Sequence, residues 1–347
     1  MIDRLGVVLF NLGGPDSLAA VRPFLFNLFK DPAIIALPPG LRHFVAWMIA
    51  WRRGPVASAI YRRIGGRSPI LPGTEVQAAA LQASLAPFAR EVKVTIAMRY
   101  WHPFSQAAAT ELASWRPDQV VLLPLYPQYS TTTSGSSLKD WEKAARKAGL
   151  EVPTTALCCY PRLPGWVTAQ ADLLRQALAE LGEGAEARVL FSAHGLPKKI
   201  VEAGDPYQSQ VEMGAAAIVA ALGRPDLDWA ICYQSRVGPL EWIGPSTEEE
   251  IRRAGAEGKG LVVLPIAFVS EHSETLVELD IDYAHLAERC GVPFYRRLPT
   301  VNDHPLFIGG LAELVGQALA APAELLSAEG ERICPEQCGA CVQGGRA

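Results

Sequence analysis

The chain has no run of eighteen or more apolar residues, so no segment of it is expected to cross a membrane as a helix. It also lacks an excess of positive charge: 32 Lys and Arg stand against 36 Asp and Glu, for a net charge of −4. Its basic residues fall only in short groups such as Arg62-Arg63 and Lys198-Lys199. That excludes the basic face with which a protein neutralises phosphates, and no nucleic-acid partner is expected. No leader is visible, since the apolar run Leu5–Leu12 is short and reads as a buried strand. The cytoplasm is therefore the expected compartment. In that compartment the seven cysteines argue against a disulfide framework and leave metal or redox roles open.

Hydrophobic residues make up 49% of the 347, enough for a substantial core. Short Val-, Ile- and Leu-rich runs cover Gly6–Leu12, Val92–Met98, Val120–Leu125, Ala187–Ala193, Leu227–Tyr233 and Leu261–Phe268. Their nearly continuous apolar character suits strands covered on both faces. Helical patterns fall between them at Glu75–Leu85, Pro103–Trp115, Leu138–Ala148, Trp166–Leu181 and Ser209–Leu222, with a last helix near His304–Leu319. Such alternation predicts an α/β fold with parallel sheets. Leu9-Phe-Asn-Leu-Gly-Gly-Pro15 followed by Val120-Val-Leu-Leu-Pro-Leu125 is echoed by Leu190-Phe-Ser-Ala-His-Gly-Leu-Pro197 followed by Leu261-Val-Val-Leu-Pro-Ile266. The shared order predicts two similar Rossmann-like domains, each a parallel β-sheet flanked by helices. Ligands of open α/β sheets bind outside the carboxyl ends of the strands. Gly13-Gly14, Arg99-Tyr100, Tyr126–Ser130, His194, Gln234-Ser235 and Glu271–Glu274 all follow strand runs, so the active cleft is expected between the two domains.

Four features carry chemistry. His194 ends an apolar run; a neutral imidazole there is either a strand cap or a base and a ligand for ferrous iron. In Val269–Asp282, a helix would align Glu271, Glu274, Glu278 and Asp282 on one face. Such a stripe is either a solvated surface or a path for a divalent cation or for protons. Cys334, Cys338 and Cys341 fall within eight residues in a polar tail, which packing does not explain. A four-thiolate 2Fe–2S cluster and a structural zinc both fit them, with Cys158 or Cys159 as the remaining donor. Finally, Leu41-Arg-His-Phe-Val-Ala-Trp-Met-Ile-Ala-Trp51 is either a core helix or a lip on a membrane surface.

Seven motifs, in order, resemble ferrochelatases over nearly the whole chain. They are Asn11-Leu-Gly-Gly-Pro15, Tyr61-Arg-Arg-Ile-Gly-Gly66 with Ser68-Pro-Ile70, Met98-Arg-Tyr100, Leu125-Tyr-Pro-Gln-Tyr-Ser130, Ser192-Ala-His-Gly-Leu-Pro197, Cys232-Tyr-Gln-Ser235, and Pro265-Ile-Ala-Phe268 with Glu274-Thr-Leu276. The resemblance implies insertion of Fe²⁺ into a porphyrin, protoporphyrin IX being expected, as the terminal step of haem synthesis. It implies His194 and Glu274 as the catalytic pair that meets the iron, and Glu278, Asp282 and His272 along a proton or metal path in a segment that is often a π-bulge. Leu12, Arg99, Tyr100, Tyr126 and Phe268 are the implied porphyrin-binding residues. Residues 34–54 match a cleft lip that meets the membrane, for peripheral association. The implied organisation is a first domain over 1–155, a second over 156–303 and a helix with a cysteine tail over 304–347, as monomer or homodimer. The tail resembles a 2Fe–2S motif, but its spacing is Cys-x3-Cys-x2-Cys, and Thr131 stands where animal members have an internal ligand. Cys158 is chosen as the fourth ligand beside Cys334, Cys338 and Cys341, with zinc as the alternative. Two other readings compete. Cobalt or nickel chelatases share the fold but typically lack the Tyr-Pro-Gln-Tyr and Cys-Tyr-Gln-Ser segments, and a porphyrin carrier has no need of a cation path.

Overall fold

The computed structural model of the chain describes residues 2–182, 184, 186–320 and 325–343. Residues 321–324 and 344–347 of the expected tail lie outside the described residues. The elements run β1 (Ile2–Asn11), α1 (Val21–Phe29), α2 (Pro39–Arg62), α3 (Ile70–Ser84), β2 (Ala89–Met98), α4 (Ser105–Trp115), β3 (Gln119–Pro124), α5 (Ser134–Ala148) and β4 (Thr154–Cys159). They continue as α6 (Pro164–Ala179), β5 (Ala187–His194), α7 (Lys198–Glu202), α8 (Tyr207–Leu222), β6 (Trp229–Gln234), α9 (Thr247–Ala256), β7 (Gly260–Pro265), a π-helix (Glu274–Tyr283), α10 (Ala284–Arg289), β8 (Tyr295–Arg297), α11 (Pro305–Ala320) and β9 (Leu325–Ser327).

Two compact units result: Met1–Cys159 with Leu311–Ser327, and Tyr160–Gly310 with Ala328–Ala347. The first holds an all-parallel sheet in the order β2-β1-β3-β4-β9. The second holds an all-parallel sheet in the order β6-β5-β7-β8. In each, the first strand sits between the second and third, and the fourth lies outside the third, so the duplicated order in the sequence is a duplicated winding. The sequence-based boundary after residue 155 falls inside β4, because Thr154–Ala156 are still paired with β3.

The apolar runs become strands because both faces are covered. Val8, Phe10, Val120 and Leu122 are buried against Ala108, Leu112 and Trp141 of α4 and α5. In the second unit, Leu190, Cys232, Leu261 and Val263 pack against Ile251 of α9, Leu279 and Tyr283 of the π-helix and Ala287 of α10. Burial of this kind contributes roughly 25 cal/mol per Å² of apolar surface and fixes which side of the π-helix faces the sheet.

The helix expected over Leu41–Trp51 is longer, running Pro39–Arg62. Its buried positions are Ala46, Ala50, Gly54 and Tyr61, a mostly small-residue stripe, and α1 is its principal helical neighbour. The aromatic face is left outside: Phe44, Trp47 and Trp51 are 59%, 58% and 61% exposed. Of the two readings of this segment, a core helix is therefore excluded. Among the described residues no helix is long and apolar enough to cross a membrane.

Candidate active site

His194 is the last residue of β5, between buried Ala193 and a glycine. Gly195 is needed there because its amide reaches the Gln234 carbonyl at 2.8 Å, and a Cβ would lie 3.0 Å from that same oxygen. The ring Nδ1 is 2.6 Å from the Gly195 carbonyl. A carbonyl only accepts, so Nδ1 carries hydrogen and Nε2 is the nitrogen turned toward Glu274. That Nε2 is 3.7 Å from Glu274 Oε1. Tyr207, at the start of α8 and buried, shares a hydrogen bond with the His194 backbone.

Glu274 is the first residue of the π-helix, and its other oxygen, Oε2, lies 3.4 Å from His272 Nε2. His272 is buried, its ring 4.6 Å from that of Phe268, and its amide donates to Thr275 Oγ1 at 3.0 Å. One carboxylate thus lies between two imidazoles. Burial pushes the Glu274 carboxyl up, but the charges of His194 and His272 and the hydrogen bond from His272 pull it further down, to about 2.

Glu278 follows four residues on. Its Oε1 accepts the Ser235 amide at 2.8 Å and the Tyr283 hydroxyl at 3.0 Å, and its Oε2 accepts Gln234 Nε2 at 3.2 Å and the Ser235 hydroxyl. Burial and the neighbouring Glu274 charge nevertheless raise its pKa. The two carboxylates are pushed in opposite directions, the arrangement by which one site keeps a base and an acid together. Gln234, fully buried at the end of β6, also donates to the Glu274 carbonyl at 3.2 Å and accepts from Ser192 at 2.8 Å. Ser235 has φ +61°, a left-handed conformation that costs a non-glycine residue about 1–3 kcal/mol. It is held there by giving both its amide and its hydroxyl to Glu278. The motif containing Gln234 and Ser235 is visible in the sequence; the strain and the shared acceptor are not.

The acidic file is shorter than the sequence implies. A π-helix bonds i to i+5 and needs roughly four to five residues per turn, so Glu274, Glu278 and Asp282 stay close to one face. Asp282 is exposed, in a surface pocket of ≈ 210 Å³ shared with Glu248, Arg252, Tyr283, Leu286 and Arg289. Glu271 does not join the file. It lies before the helix, and its Oε1 accepts from Arg297 at 2.6 Å and from the Thr300 amide at 3.0 Å.

The expected porphyrin residues of the first unit are gathered by strand ends. The Tyr100 amide donates to the Leu12 carbonyl at 3.0 Å, and the Arg99 amide donates to Asn11 at 2.9 Å. The Arg99 side chain meets Asp31 at 2.8 Å, Ser136 at 2.7 Å and Asp140 at 3.6 Å, and the Tyr100 hydroxyl donates to Asp31 at 2.9 Å. Tyr100 has no exposed surface, whereas Leu12 and Tyr126 are half-buried. In the second unit Phe268 is half-buried beside His272.

Cys334, Cys338 and Cys341 form one buried cluster with Ile333. Cys334 shares a hydrogen bond with Cys341 and accepts one from Gln210 Nε2 at 3.1 Å. Arg332 donates to the carbonyls of Pro335, Glu336 and Cys338, which curls the loop. The loop rests on Gly204, φ +95°, where a Cβ would be 2.7 Å from the Gly339 nitrogen. Cys158 is buried in β4 with its sulfur 3.4 Å from that of Cys159. Among the described residues no group of three or more His, Cys, Asp or Glu side chains is arranged to hold a metal ion.

A ferrochelatase family model matches residues 4–319. The chain is 55% identical over 353 aligned positions to a ferrochelatase of Phenylobacterium zucineum, covering 99% of this chain and all of that one. It is 53% identical to a ferrochelatase of Caulobacter vibrioides, covering 98% and 96%. Among solved structures it is similar in fold to SirB from Bacillus subtilis with Fe³⁺, at a TM-score of 0.54 and 10% identity over 92% of this chain and 96% of that one.

The Glu274 carboxyl titrates below its ordinary value of 4.5 in the folded state, so the unfolded chain binds more protons between the two values. Its contribution is present above 4.5 and is lost as pH falls toward 2. Urea unfolding near pH 7 and near pH 4 should therefore show Glu274→Gln losing about 1 kcal/mol less than the unsubstituted protein. An equal loss would mean that the histidines do not hold this carboxylate down.

Proposed function

The chain belongs to the ferrochelatase family, and we propose that His194, Glu274 and Glu278 carry the metal exchange of that family's reaction. The reaction inserts Fe²⁺ into a porphyrin in haem synthesis. Two pyrrole N–H protons leave as one doubly charged ion enters, so the charge of the macrocycle is unchanged. A flat porphyrin hides its nitrogen lone pairs in the ring plane. A site that binds a puckered ring aims them at one face and favours the transition state over the substrate.

The observation that supports the assignment is the single carboxylate between two imidazoles, with a second carboxylate of raised pKa behind it. A pyrrole proton arriving at His194 Nε2 converts the ring to imidazolium 3.7 Å from the ionised Glu274. That charge, together with His272, is what lowers the Glu274 pKa, so Glu274 stabilises the imidazolium without taking the proton from it. Glu278 has the raised proton affinity and is the proposed next stop for a proton, with Asp282 further along the same helix at the surface. Imidazole and carboxylate donors also suit Fe²⁺ on its way in. Protoporphyrin IX is the proposed porphyrin. In the first unit Leu12 and Tyr126 keep exposed surface for it, with Arg99 and Tyr100 held by Asp31; in the second unit Phe268 keeps exposed surface beside His272.

Cys334, Cys338 and Cys341, three buried thiols in one loop with the Gln210 amide donating to the first, are the proposed thiolate donors of a 2Fe–2S cluster, and zinc is the alternative. When bound, such a cluster supplies a one-electron couple, and no step above passes through it. The exposed aromatic face of α2, where Phe44 and Trp47 stack at 6.2 Å, is the proposed contact with a membrane surface from the cytoplasmic side.

Three measurements test these assignments. In an anaerobic assay with Fe²⁺ and protoporphyrin IX, His194→Ala should lose at least about a hundred-fold in kcat while porphyrin fluorescence still titrates; near-normal turnover would remove His194 from the chemistry. Purified protein should show visible absorption before porphyrin is added, as ferric thiolate clusters do, and Cys334→Ser should lose it. Parallel Cys158→Ser and Cys159→Ser variants identify the fourth donor, and a colourless protein carrying zinc would replace the cluster. Vesicles containing anionic lipid should co-sediment the protein, and Trp47→Ser with Trp51→Ser should weaken this at least about ten-fold. Equal recovery of both proteins would leave α2 without a membrane role.

A further inference from the structure

The π-helix is clamped on the side away from its catalytic carboxylates. Asp280 comes two residues after Glu278 and turns toward Arg297, at the end of β8. Arg297 Nε donates to Asp280 Oδ1 at 2.7 Å and its Nη2 donates to Oδ2. Its Nη1 donates to Glu271 Oε1 at 2.6 Å, and the Thr300 amide adds a second bond to that oxygen at 3.0 Å. One residue along the helix from Asp280, the Leu279 carbonyl accepts the Tyr295 hydroxyl at 2.9 Å. All these donors sit on or just after β8, an edge strand fixed to β7 through Leu261↔Tyr295, Val262↔Arg296 and Val263↔Arg297.

The side chain of Arg297 is only 9% exposed. A guanidinium so enclosed is worth keeping only if its geometry is used, since a buried ion pair is seldom a net gain in stability. Here the planar fork takes one carboxylate two-pronged and a second end-on. Those carboxylates bracket the working ones in sequence: Glu271 precedes Glu274 by three residues, and Asp280 follows Glu278 by two. Wide-turn helical bonding is a poor holder of register by itself. We infer that Arg297 is a positioning residue for metal insertion, a clamp on both ends of the acid-bearing turn that sets Glu274 between His194 and His272. Arg297 touches neither porphyrin nor iron. Its effect passes through Glu271 and Asp280, and it rests on the reading of Glu274 and Glu278 as the groups that meet iron and protons.

Arg297→Lys keeps the charge and loses the fork. In the anaerobic assay it should raise the KM for Fe²⁺ at least about five-fold while the KM for porphyrin stays within about two-fold, because a small displacement of a reacting group is costly while a remote binding surface is untouched. A merely structural role would lower the folded fraction and leave both constants alone. A smaller rise for iron, or a matching rise for both substrates, overturns the inference. If the lysine variant does not fold, the triple variant Glu271→Gln, Asp280→Asn, Arg297→Gln removes all three charges together and is held to the same two limits. Glu274→Gln, run alongside, separates the two levels. If it leaves metal insertion unchanged, the reading of Glu274 fails; if it blocks insertion while the clamp variants stay normal, only the clamp fails.

Discussion

The site depends on a carboxylate that stays ionised although partly buried. A lone glutamate in such a place would take up a proton rather than give up hydration. Glu274 does not, because one oxygen faces His194 and the other faces His272. The neighbouring elements can be understood from that requirement. β5 ends at His194, with its Nδ1 tied to the next carbonyl so that Nε2 faces Glu274. Phe268 packs against the ring of His272. Glu278, four residues away, is raised by its burial and by repulsion from the Glu274 charge. The histidines pull Glu274 down, while burial first and the Glu274 charge second raise Glu278.

Holding these groups in register falls to an unusual helix. A π-helix has looser hydrogen bonding than an α-helix and persists where its surroundings specify it. Here the sheet side specifies it through buried Val277, Leu279 and Tyr283. The β6 end contributes Gln234 and a strained Ser235, both bonded to Glu278. The β8 edge contributes Tyr295 and Arg297. The helix is thus built into a frame, with side chains from β6 and β8 supplying bonds that its own backbone geometry supplies poorly.

Two further features have different physical causes. The exposed face of α2 follows from its buried positions: a mostly small-residue stripe packs on its neighbours, and every large aromatic on the helix but Tyr61 is left outside. The cysteine loop shows the reverse, since a polar segment buries three thiols by curling around Arg332 and settling on Gly204. Neither pattern serves the packing of a core, which is the ground for assigning each a partner.

Much of the fold was legible because buried parallel strands announce themselves as apolar runs, and β1, β2, β3, β5, β6 and β7 lie within a few residues of where the pattern puts them. The three-residue strands β8 and β9 carry no such signal, and α9 went unread although Ser246 and Glu249 spell its capping box. The family and its metal insertion were legible from seven ordered motifs, because chemistry fixes residue type at strand ends. The position of Glu271 was not. Periodicity places it with Glu274, and only a distant arginine, Arg297, turns it away. The strained Ser235, the split between the pKa values of Glu274 and Glu278, and the outward face of α2 likewise depend on partners far off in sequence. Residue type and spacing determined which groups are present; tertiary packing decided which of them face one another, because proton affinity and hydrogen-bond partners are properties of an environment assembled from separate strands.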